Sequence, residues 1–280
     1  MNINWYPGHM AKTKRLLREN LKLVDVVIEL IDARIPASSR NPDFDQLFNN
    51  KKRIVCLNKS DLADPVISEL WKKHYRQNNI HNVFINSRNG RGFKELLSLI
   101  DRTMQEKFKK DAARGLRKRP VRAMVTGIPN VGKSTFINRL TGRAATRTGD
   151  TPGVTRDKQW IKVKNNIHLL DTPGILWPKL GDEKIGYNLA FTGAIKDDIH
   201  DLQEIAVKLL EFLACNYKRN VMDRYGFQNL DIAGHKLMDE ICRKRGFILK
   251  GGEPDRLKCA RIVLDEFRGA VIGRISLEKP

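Results

Sequence analysis

Near the middle of the chain, the residues from Gly127 to Ser134 have the types and spacing of a loop that binds phosphate. They read Gly-Ile-Pro-Asn-Val-Gly-Lys-Ser, follow an apolar run, Val121 to Thr126, and precede a helical pattern, Thr135 to Leu140. Between a strand and a helix, such glycines let backbone N–H groups turn toward phosphate oxygens. Lys133 would reach the β- and γ-phosphates, and the Ser134 hydroxyl would bind Mg²⁺. The nucleotide-binding residues predicted here are Asn130, Val131, Gly132, Lys133, Ser134 and Thr135.

A second string, Asn58-Lys59-Ser60-Asp61, predicts that the base is guanine. It follows another apolar run, Arg53 to Leu57. The Asp61 carboxylate can accept hydrogen bonds from both the N1–H and the N2 amino group of guanine, a pair of donors that adenine lacks. Asn58 would tie this string to the phosphate loop, and the stem of Lys59 would lie over the base. Alone the string could be a polar turn, but together with a phosphate loop it favours GTP.

Three further segments complete the predicted nucleotide site. Asn86-Ser87-Arg88 follows a third apolar run and would offer a backbone N–H near Ser87 to guanine O6, although many loops that contain Ser look alike. Asp171-Thr-Pro-Gly174 would supply a carboxylate that holds Mg²⁺ through a water molecule, and the N–H of Gly174 would face the γ-phosphate. Thr155 would complete the coordination of Mg²⁺ when GTP is bound. The predicted Mg²⁺ ligands are therefore Ser134, Thr155 and Asp171.

The elements around these motifs predict an α/β fold. Runs rich in β-branched residues alternate with helical patterns through the first 177 residues, which is typical of a doubly wound, mostly parallel sheet. Ligands of such sheets bind at the carboxyl ends of the strands, and each motif follows a strand at that end. After Pro178 the strand patterns give way to helical ones. We therefore predict a nucleotide-binding α/β domain at 1–177 and a small all-helical domain at 178–280.

Composition narrows the class of protein. Of the 280 residues, 41% are hydrophobic, which is ample for a packed core. No apolar run approaches the ~20 residues of a membrane span, and the N-terminus has neither a signal nor a transit pattern. The four cysteines are far apart and form no C-x-x-C pair, so we expect buried thiols rather than disulfides or zinc ligands. These features predict a cytoplasmic protein without a membrane partner, and we expect a monomer.

The charge of the chain predicts a polyanionic partner. The formal net charge is +20, which in a cytoplasmic protein favours nucleic acid. Residues 1–177 carry 34 Lys and Arg against 16 Asp and Glu, whereas residues 178–280 carry 18 against 16. The densest run, Arg102 to Arg122, begins in a helix that we expect to end at Phe108. This run could be a solvated surface, but we favour a contact with RNA phosphates. Its cations include Lys107, Lys109, Lys110, Arg114, Arg117, Lys118 and Arg119.

The motifs occur in a permuted order. In GTPases of the translation-factor class, the usual order along the chain is phosphate loop, switch Thr, D-x-x-G, N-K-x-D and a loop that contains Ser, which we call the Ser loop. Here the N-K-x-D string (Asn58–Asp61) and the Ser loop (Asn86–Arg88) precede the other three motifs. With this order the chain resembles the ribosome biogenesis GTPase A family of bacteria, whose members are circularly permuted GTPases. The resemblance spans almost the whole chain. It rests on Trp5-Tyr-Pro-Gly-His-Met10, on Asp32-Ala-Arg34, on the phosphate loop and on Asp171-Thr-Pro-Gly-Ile-Leu-Trp-Pro178.

The resemblance implies GTP hydrolysis coupled to a late step in the maturation of the large (50S) ribosomal subunit, with binding to rRNA and immature particles. It also implies a helical domain that binds RNA. Because the chain passes from Asp171–Trp177 directly into this domain, we expect the GTP state to reorient the domain as a unit. A tRNA-related GTPase and a regulatory RNA-binding protein with little turnover stay open as alternatives. The candidate RNA contacts in the helical domain are Arg243, Lys244, Arg245, Arg256, Lys258 and Arg261.

The position after Gly174 raises a question about catalysis. Ras-like GTPases place there a Gln that orients the attacking water, but this chain has Ile175, which cannot hydrogen-bond to water. Either hydrolysis is slow or another group takes the role. His9 is the candidate catalytic residue, supported by the resemblance, and a structural His that caps the first helix is the alternative. In GTPases that resemble this one, an Asn at the position of Asn130 can accompany a K⁺ ion that bridges the phosphates; alternatively, Asn130 only satisfies the loop backbone.

Overall fold

The centre of the protein is a six-stranded sheet. The computed structural model describes residues 15–48, 51–117, 119–142, 160–163, 166–171, 182–195 and 201–280. The strands are β1 (Val26–Asp32), β2 (Lys52–Asn58), β3 (Asn82–Phe84), β4 (Val121–Gly127), β5 (Trp160–Val163) and β6 (Ile167–Asp171). Their order is β3-β2-β1-β4-β6-β5, and every neighbouring pair is parallel except β5 with β6. The predicted mostly parallel sheet is confirmed, and β5 and β6 form an antiparallel hairpin at its edge.

Helices cover both faces of this sheet. They are α1 (residues 15–21), α2 (Asp43–Leu47), α3 (Pro65–Gln77), α4 (Phe93–Ala113), α5 (Lys133–Thr141), α6 (Glu183–Phe191), α7 (Leu202–Asn216), α8 (Lys218–Tyr225), α9 (Gly234–Arg245) and α10 (Arg256–Arg268). Side chains alternate along a strand, so Val26 and Ile28 of β1 pack with α4 and α5. Val27 and Ile31 face the other way, toward α1 and α2 or toward α3. The sheet is therefore doubly wound, as predicted.

In the described part of the chain from residue 182 onward, the regular secondary structure is helical, apart from an isolated bridge between Ile248 and Pro254. Helix α7 lies at its centre, because its apolar residues Leu209, Leu210 and Leu213 are fully buried and it contacts α6, α8, α9 and α10. The boundary that we predict between residues 177 and 178 falls outside the described residues. The helical composition agrees with the prediction, and the boundary stays a prediction.

The structure also corrects the sequence-based expectations. Helix α4 continues beyond Phe108 to Ala113, because the intervening Lys and Ala residues favour helix. Helices α6 and α8 lack long apolar periodicity, and we did not expect them. Cys215 is exposed, whereas the other three cysteines are buried as expected. In the part of the chain that the structure describes, no helix has the length and apolar character needed to cross a membrane.

Candidate nucleotide site

The predicted motifs meet at one edge of the sheet, where the parallel strands end. The register aligns Asp32, at the end of β1, with Asn58, at the end of β2. Gly127 ends β4 and pairs with Leu30 of β1. On the other side of β4, β6 ends at Asp171. We name residues Asn58–Asp61 the guanine string. It lies at the same edge as the phosphate loop and the backbone of Asp171, as expected for ligand-binding segments of such a sheet.

The loop between β4 and α5 has the shape of a phosphate cradle. Gly132 has φ +99, in the left-handed region, and a Cβ atom there would lie 2.6 Å from Asn58 Nδ2, so only glycine fits. Helix α5 starts at the next residue, and the partial positive charge of its N-terminus adjoins the loop. The Lys133 ammonium donates to the carbonyls of Gly127 at 3.2 Å and Ile128 at 2.8 Å. In this structure the loop's own lysine is thus folded back onto the loop.

Asn58 joins three predicted segments of the site. Its Nδ2 donates to the Val131 carbonyl of the phosphate loop at 2.8 Å. Its Oδ1 accepts from the Ser87 backbone N–H at 3.1 Å and from the Ser87 hydroxyl at 2.8 Å. Asn58 and Ser87 are both buried, so these bonds are shielded from water. The expected tie between the guanine string and the phosphate loop is present, and the Ser loop shares it.

The rest of the guanine string is held through its backbone. Lys59 has φ +58, in the left-handed region, and the Ser60 N–H donates to the Ile85 carbonyl at 3.1 Å. Asp61 is exposed, and its carboxylate makes no hydrogen bond to any residue that the structure describes. This carboxylate is therefore accessible for the two donors of guanine.

The Ser loop differs in one respect from the simple expectation. The Ser87 N–H, which we considered as a donor to guanine O6, is taken by Asn58. The Arg88 N–H donates to Asn86 Oδ1 at 2.8 Å. Guanine O6 would therefore have to take over the Arg88 N–H from the Asn86 side chain.

The structure adds Asp32 and Arg34, which the sequence-based prediction did not assign to the site. The Asp32 carboxylate accepts from Arg34 Nε at 3.0 Å and Nη2 at 2.8 Å, and it lies 3.0 Å from Lys59 Nζ. Burial alone raises the pKa of Asp32, but the charges of Arg34 and Lys59 outweigh burial and hold this pKa well below its usual range. Asp32 thus anchors the lysine of the guanine string. Asp32 could have been found from the sequence, because it is an acidic residue that ends a buried strand at the edge where the other motifs lie.

Asn130 connects the phosphate loop to the helical part of the chain. It is exposed, has φ +55, and its Nδ2 donates to the Gly193 carbonyl, just after α6, at 2.9 Å. The amide nitrogen therefore bonds outside the phosphate loop, in contrast to the alternative in which it satisfies the loop backbone. The amide oxygen is the atom that a cation would use.

Several predicted site residues lie outside what the structure describes. His9, Thr155, Gly174 and Ile175 are in segments that are not described, and Asp171 is described through its backbone alone. Ser134 and Thr135 lie in the first turn of α5. Among the described residues, no three His, Cys, Asp or Glu side chains are grouped so that they could hold a metal ion.

The basic run after β3 divides into paired and exposed cations. Lys107 and Arg119 bind the Asp25 carboxylate, which precedes β1. Burial raises the pKa of the Asp25 carboxyl, but the hydrogen bonds from Arg119 and Lys107 outweigh burial and hold this pKa below its usual range. Between residues 109 and 117, four cations of this run are exposed and form no ion pair with any described residue. They are Lys109, Lys110, Arg114 and Arg117.

The basic residues of α9 and α10 are mostly used within the helical part itself. Arg256 makes two hydrogen bonds to Asp239, at 2.7 and 2.8 Å. Lys244 donates to the Gly226 carbonyl and lies 4.9 Å from the centre of the Phe227 ring. The remaining candidates also have contacts, except Arg261, which has no partner among the described residues.

Comparisons with known proteins show similarity to GTPases. A family model described as a 50S ribosome-binding GTPase matches residues 122–224. A protein of Priestia megaterium named Ribosome biogenesis GTPase A is 48% identical over 281 aligned positions, which cover 100% of this chain and 98% of that protein. Its namesake from Thermotoga maritima is 31% identical, over 99% of this chain and 95% of that protein.

Two solved structures of a protein titled YlqF resemble the fold. The GDP-bound structure has a TM-score of 0.71 at 27% identity and covers 95% of this chain and 99% of that one. The GNP-bound structure, from T. maritima, has a TM-score of 0.72 at the same identity, over 96% and 98% of the two chains. The two relatives and the two solved structures thus match this chain over nearly its full length.

Proposed function

The chain belongs to the ribosome biogenesis GTPase A family and hydrolyses GTP, and on that premise we propose that it binds the immature large (50S) ribosomal subunit and promotes a late maturation step. The observation that carries this proposal is the group of exposed cations at the end of α4 and after it, from Lys109 to Arg117. We name this group the α4 cationic surface. Exposed, unpaired cations can neutralise RNA phosphates and release counterions.

The location of the α4 cationic surface supports simultaneous binding of RNA and GTP. Helix α4 begins after β3, near the edge that carries the nucleotide motifs, and runs to the opposite edge. Lys107 of α4 there meets Asp25, just before β1 starts. RNA on this surface would leave the nucleotide opening uncovered. The fold thus offers separate places for the two ligands.

At the nucleotide site, we infer that this chain's own residues select and hold GTP. Asp61 accepts the guanine donors, while the Asn58 tie keeps the guanine string and the phosphate loop at a fixed separation. Lys133 leaves the Gly127 and Ile128 carbonyls to contact the β- and γ-phosphates. Backbone N–H groups from Val131 to Thr135 would surround the phosphates.

The donor set at the phosphate loop fits Mg²⁺. The Ser134 hydroxyl lies in the first turn of α5, and β6 brings the backbone of Asp171 to the strand beside the loop. Hydroxyl and carboxylate oxygens are the ligands that Mg²⁺ prefers. We propose that Ser134, Asp171 and Thr155 hold the ion, which when bound neutralises charge that develops on the phosphate oxygens.

His9 and Asn130 carry the finer proposals about hydrolysis. With Ile175 unable to orient water, we propose that the His9 imidazole does so. The Asn130 amide oxygen would contribute to a K⁺ site beside the phosphates. If His9→Ala bound GTP normally and kept turnover stimulated by large subunits, the role of His9 would be lost. Equal turnover in K⁺ and Na⁺ buffers would remove the role of K⁺.

The helical domain would respond to the nucleotide. The hydrogen bond from Asn130 to Gly193 gives the phosphate loop a direct contact with that domain, in addition to the chain connection after Asp171. A ligand that recruits the Asn130 amide would weaken this contact. We propose that the helical domain changes its position accordingly when GTP replaces GDP.

The experiment that tests the function measures GTP turnover with purified immature 50S particles, mature 50S subunits and 30S subunits. We expect stimulation by a large subunit and none by the small subunit. Stimulation by tRNA alone would instead favour a tRNA-related GTPase. Particle binding without turnover under any condition would favour a regulatory RNA-binding protein.

Charge-reversal variants test the surface. Lys109→Glu with Arg114→Glu should weaken binding to 50S particles and reduce the slope of log affinity against log salt by ~1 to 2. The matched control is Lys73→Glu with Arg76→Glu on α3, since both side chains are exposed and the net charge changes equally. Equal losses in the two pairs would mean that only overall charge matters, and the proposed surface would be wrong.

A further inference from the structure

The chain ends in an extended segment that returns from the helical part to the nucleotide site. Residues 272–278, which follow α10, are neither helix nor strand, and we name them the C-terminal segment. Ile275 and Leu277 are nevertheless 1% and 4% exposed. An irregular terminal segment buried to this degree must be held by specific contacts. Those contacts fall on the guanine string.

Arg274 and Ile275 bind the backbone on both sides of Asp61. Arg274 Nη2 donates to the Ser60 carbonyl at 3.0 Å, and its Nε donates to the Ala63 carbonyl at 2.8 Å. The Ile275 N–H donates to the Leu62 carbonyl at 3.0 Å. Three backbone carbonyls around Asp61, those of residues 60, 62 and 63, are thereby fixed by residues more than 200 positions away. The Asp61 side chain itself stays exposed.

The same segment also holds the anchor of Lys59. The Leu277 N–H donates to the Arg34 carbonyl at 2.9 Å. The Arg34 guanidinium lies 5.3 Å from the centre of the Phe267 ring of α10 while it binds Asp32. Since Asp32 pairs with Lys59, the residue two positions before Asp61 is held through this chain of contacts.

A third set of bonds fastens the end of the segment. Glu278 accepts from the Ala37 N–H at 2.7 Å and the Ser38 N–H at 3.0 Å, both in the loop after β1. The Ser276 hydroxyl accepts from the Asp64 N–H at 3.1 Å, immediately before α3. The end of the segment is therefore fixed both at the loop after β1 and at Asp64, next to the guanine string.

We propose that the C-terminal segment is part of the guanine site and that Arg274 is a positioning residue for Asp61. The inference rests on the proposed role of Asp61 as the guanine acceptor. Two hydrogen bonds to one base edge require a carboxylate in a narrow range of positions. The Asp61 side chain has no partner among the described residues, so its position depends on its backbone. That backbone is fastened by Arg274.

Base-analogue titration distinguishes positioning from general loss of structure. GDP presents both donors to Asp61, whereas inosine diphosphate lacks the N2 amino group. In Arg274→Ala, we expect affinity for GDP to fall about tenfold, since two hydrogen bonds to the loop are lost. Affinity for inosine diphosphate should fall less, so that the preference for GDP narrows. Arg274→Lys should restore part of the preference, because it can keep one of the two bonds.

Two further variants make the result interpretable. Arg219→Ala removes an arginine of α8 whose side chain is 94% exposed, and it should match the wild type. Asp61→Asn should abolish the preference for GDP over inosine diphosphate. If Asp61→Asn abolishes the preference and Arg274→Ala leaves it intact, the inference about Arg274 is wrong while the guanine role of Asp61 stands. If neither variant changes the preference, the proposed guanine site itself is wrong.

An equal loss of affinity for the two nucleotides in Arg274→Ala would also overturn the inference, since it would indicate a structural role only. Arg274 is exposed at the surface, so the variant should fold. The titrations use the full chain, with thermal unfolding recorded for each variant.

Discussion

The base side and the phosphate side of the nucleotide site are built differently. On the base side, Asp32, Asn58 and Ser87 are buried and joined to one another's segments by hydrogen bonds between protein atoms. On the phosphate side, Lys133 binds its own loop, and the exposed Asn130 binds a carbonyl of the helical part. The first arrangement leaves the Asp61 carboxylate open to the two guanine donors. The second must exchange its bonds when phosphates arrive.

This difference separates selection from switching. Because the base side is buried and held by hydrogen bonds, little binding free energy is lost to rearrangement when the base binds. The contacts that select guanine therefore also contribute to affinity. A phosphate side whose polar groups already have partners can adopt two arrangements with similar energies, which is what a switch requires. Substitutions on the base side should therefore reduce stability and affinity strongly, and those on the phosphate side should affect mainly the response to nucleotide.

The largest effect is expected for Asp32→Asn. Removing the carboxylate charge leaves the buried Arg34 charge and the partly buried Lys59 charge without their partner, and breaking a buried ion pair costs about 4 kcal/mol of the free energy of unfolding. Denaturant unfolding without nucleotide measures this. Asp45→Asn is the control, because Asp45 is 60% exposed and its pairs with Arg40 and Arg53 contribute about 1 kcal/mol or less. Equal losses in the two variants would contradict the buried network.

The same network should appear in the pH dependence. Since the folded pKa of Asp32 lies below its unfolded value of about 4, the stability that it contributes is present above that pH and is lost as the pH falls. The wild type should therefore lose more stability than Asp32→Asn between pH 5 and pH 3.

Much of the fold and part of the site followed from local sequence patterns. Alternation of β-branched runs with helical periods predicts the parallel sheet, because the period of a segment depends only on which faces are buried. The predicted roles of Gly132, Lys133, Asn58 and Asp61 follow from spacing along the chain and from the strand that precedes each string.

Other features depend on packing between distant segments and leave no local pattern. The pairing of Asp32 with Lys59 joins two strands through their register. Arg274 looks like any exposed basic residue until the chain has folded back onto Ser60 and Ala63. Most of the basic residues that we predicted to contact RNA on α9 and α10 have partners within the helical part. Helical periodicity indicates that such residues lie on the surface, but it does not reveal these partners. Long-range polar partners were therefore the main omission.

The second largest effect, a loss of affinity for GDP, is expected for Asn58→Ala. This variant tests whether Asn58 holds the base side and the phosphate side together. It removes the bond to the Val131 carbonyl and the two bonds from Ser87, all buried. At about 1 kcal/mol for each bond, affinity for GDP should fall about a hundredfold. Fluorescence titration with labelled GDP measures this. Asn216→Ala, at the exposed end of α7, should change nothing.

A loss in Asn58→Ala smaller than about threefold would mean that the phosphate loop keeps its position without the tie. Unfolding experiments on the same variant locate the cause. If stability falls while affinity per folded molecule is retained, the bonds serve the fold and not the site, and the contrast between the two sides would weaken.

The smallest effect is expected for Asn130→Gly. Glycine adopts the φ of +55 without strain, so the substitution mainly removes the exposed hydrogen bond to Gly193, which contributes about 1 kcal/mol or less. Asn79→Gly is a matched control, since Asn79 is also exposed with φ +54 but lies at the end of α3. The difference in unfolding free energy between the two variants isolates the contact with the helical part. A difference above about 2 kcal/mol would mean that the Asn130–Gly193 contact is strong. The phosphate side would then be as firmly fixed as the base side, and the proposed difference between the two sides would be wrong.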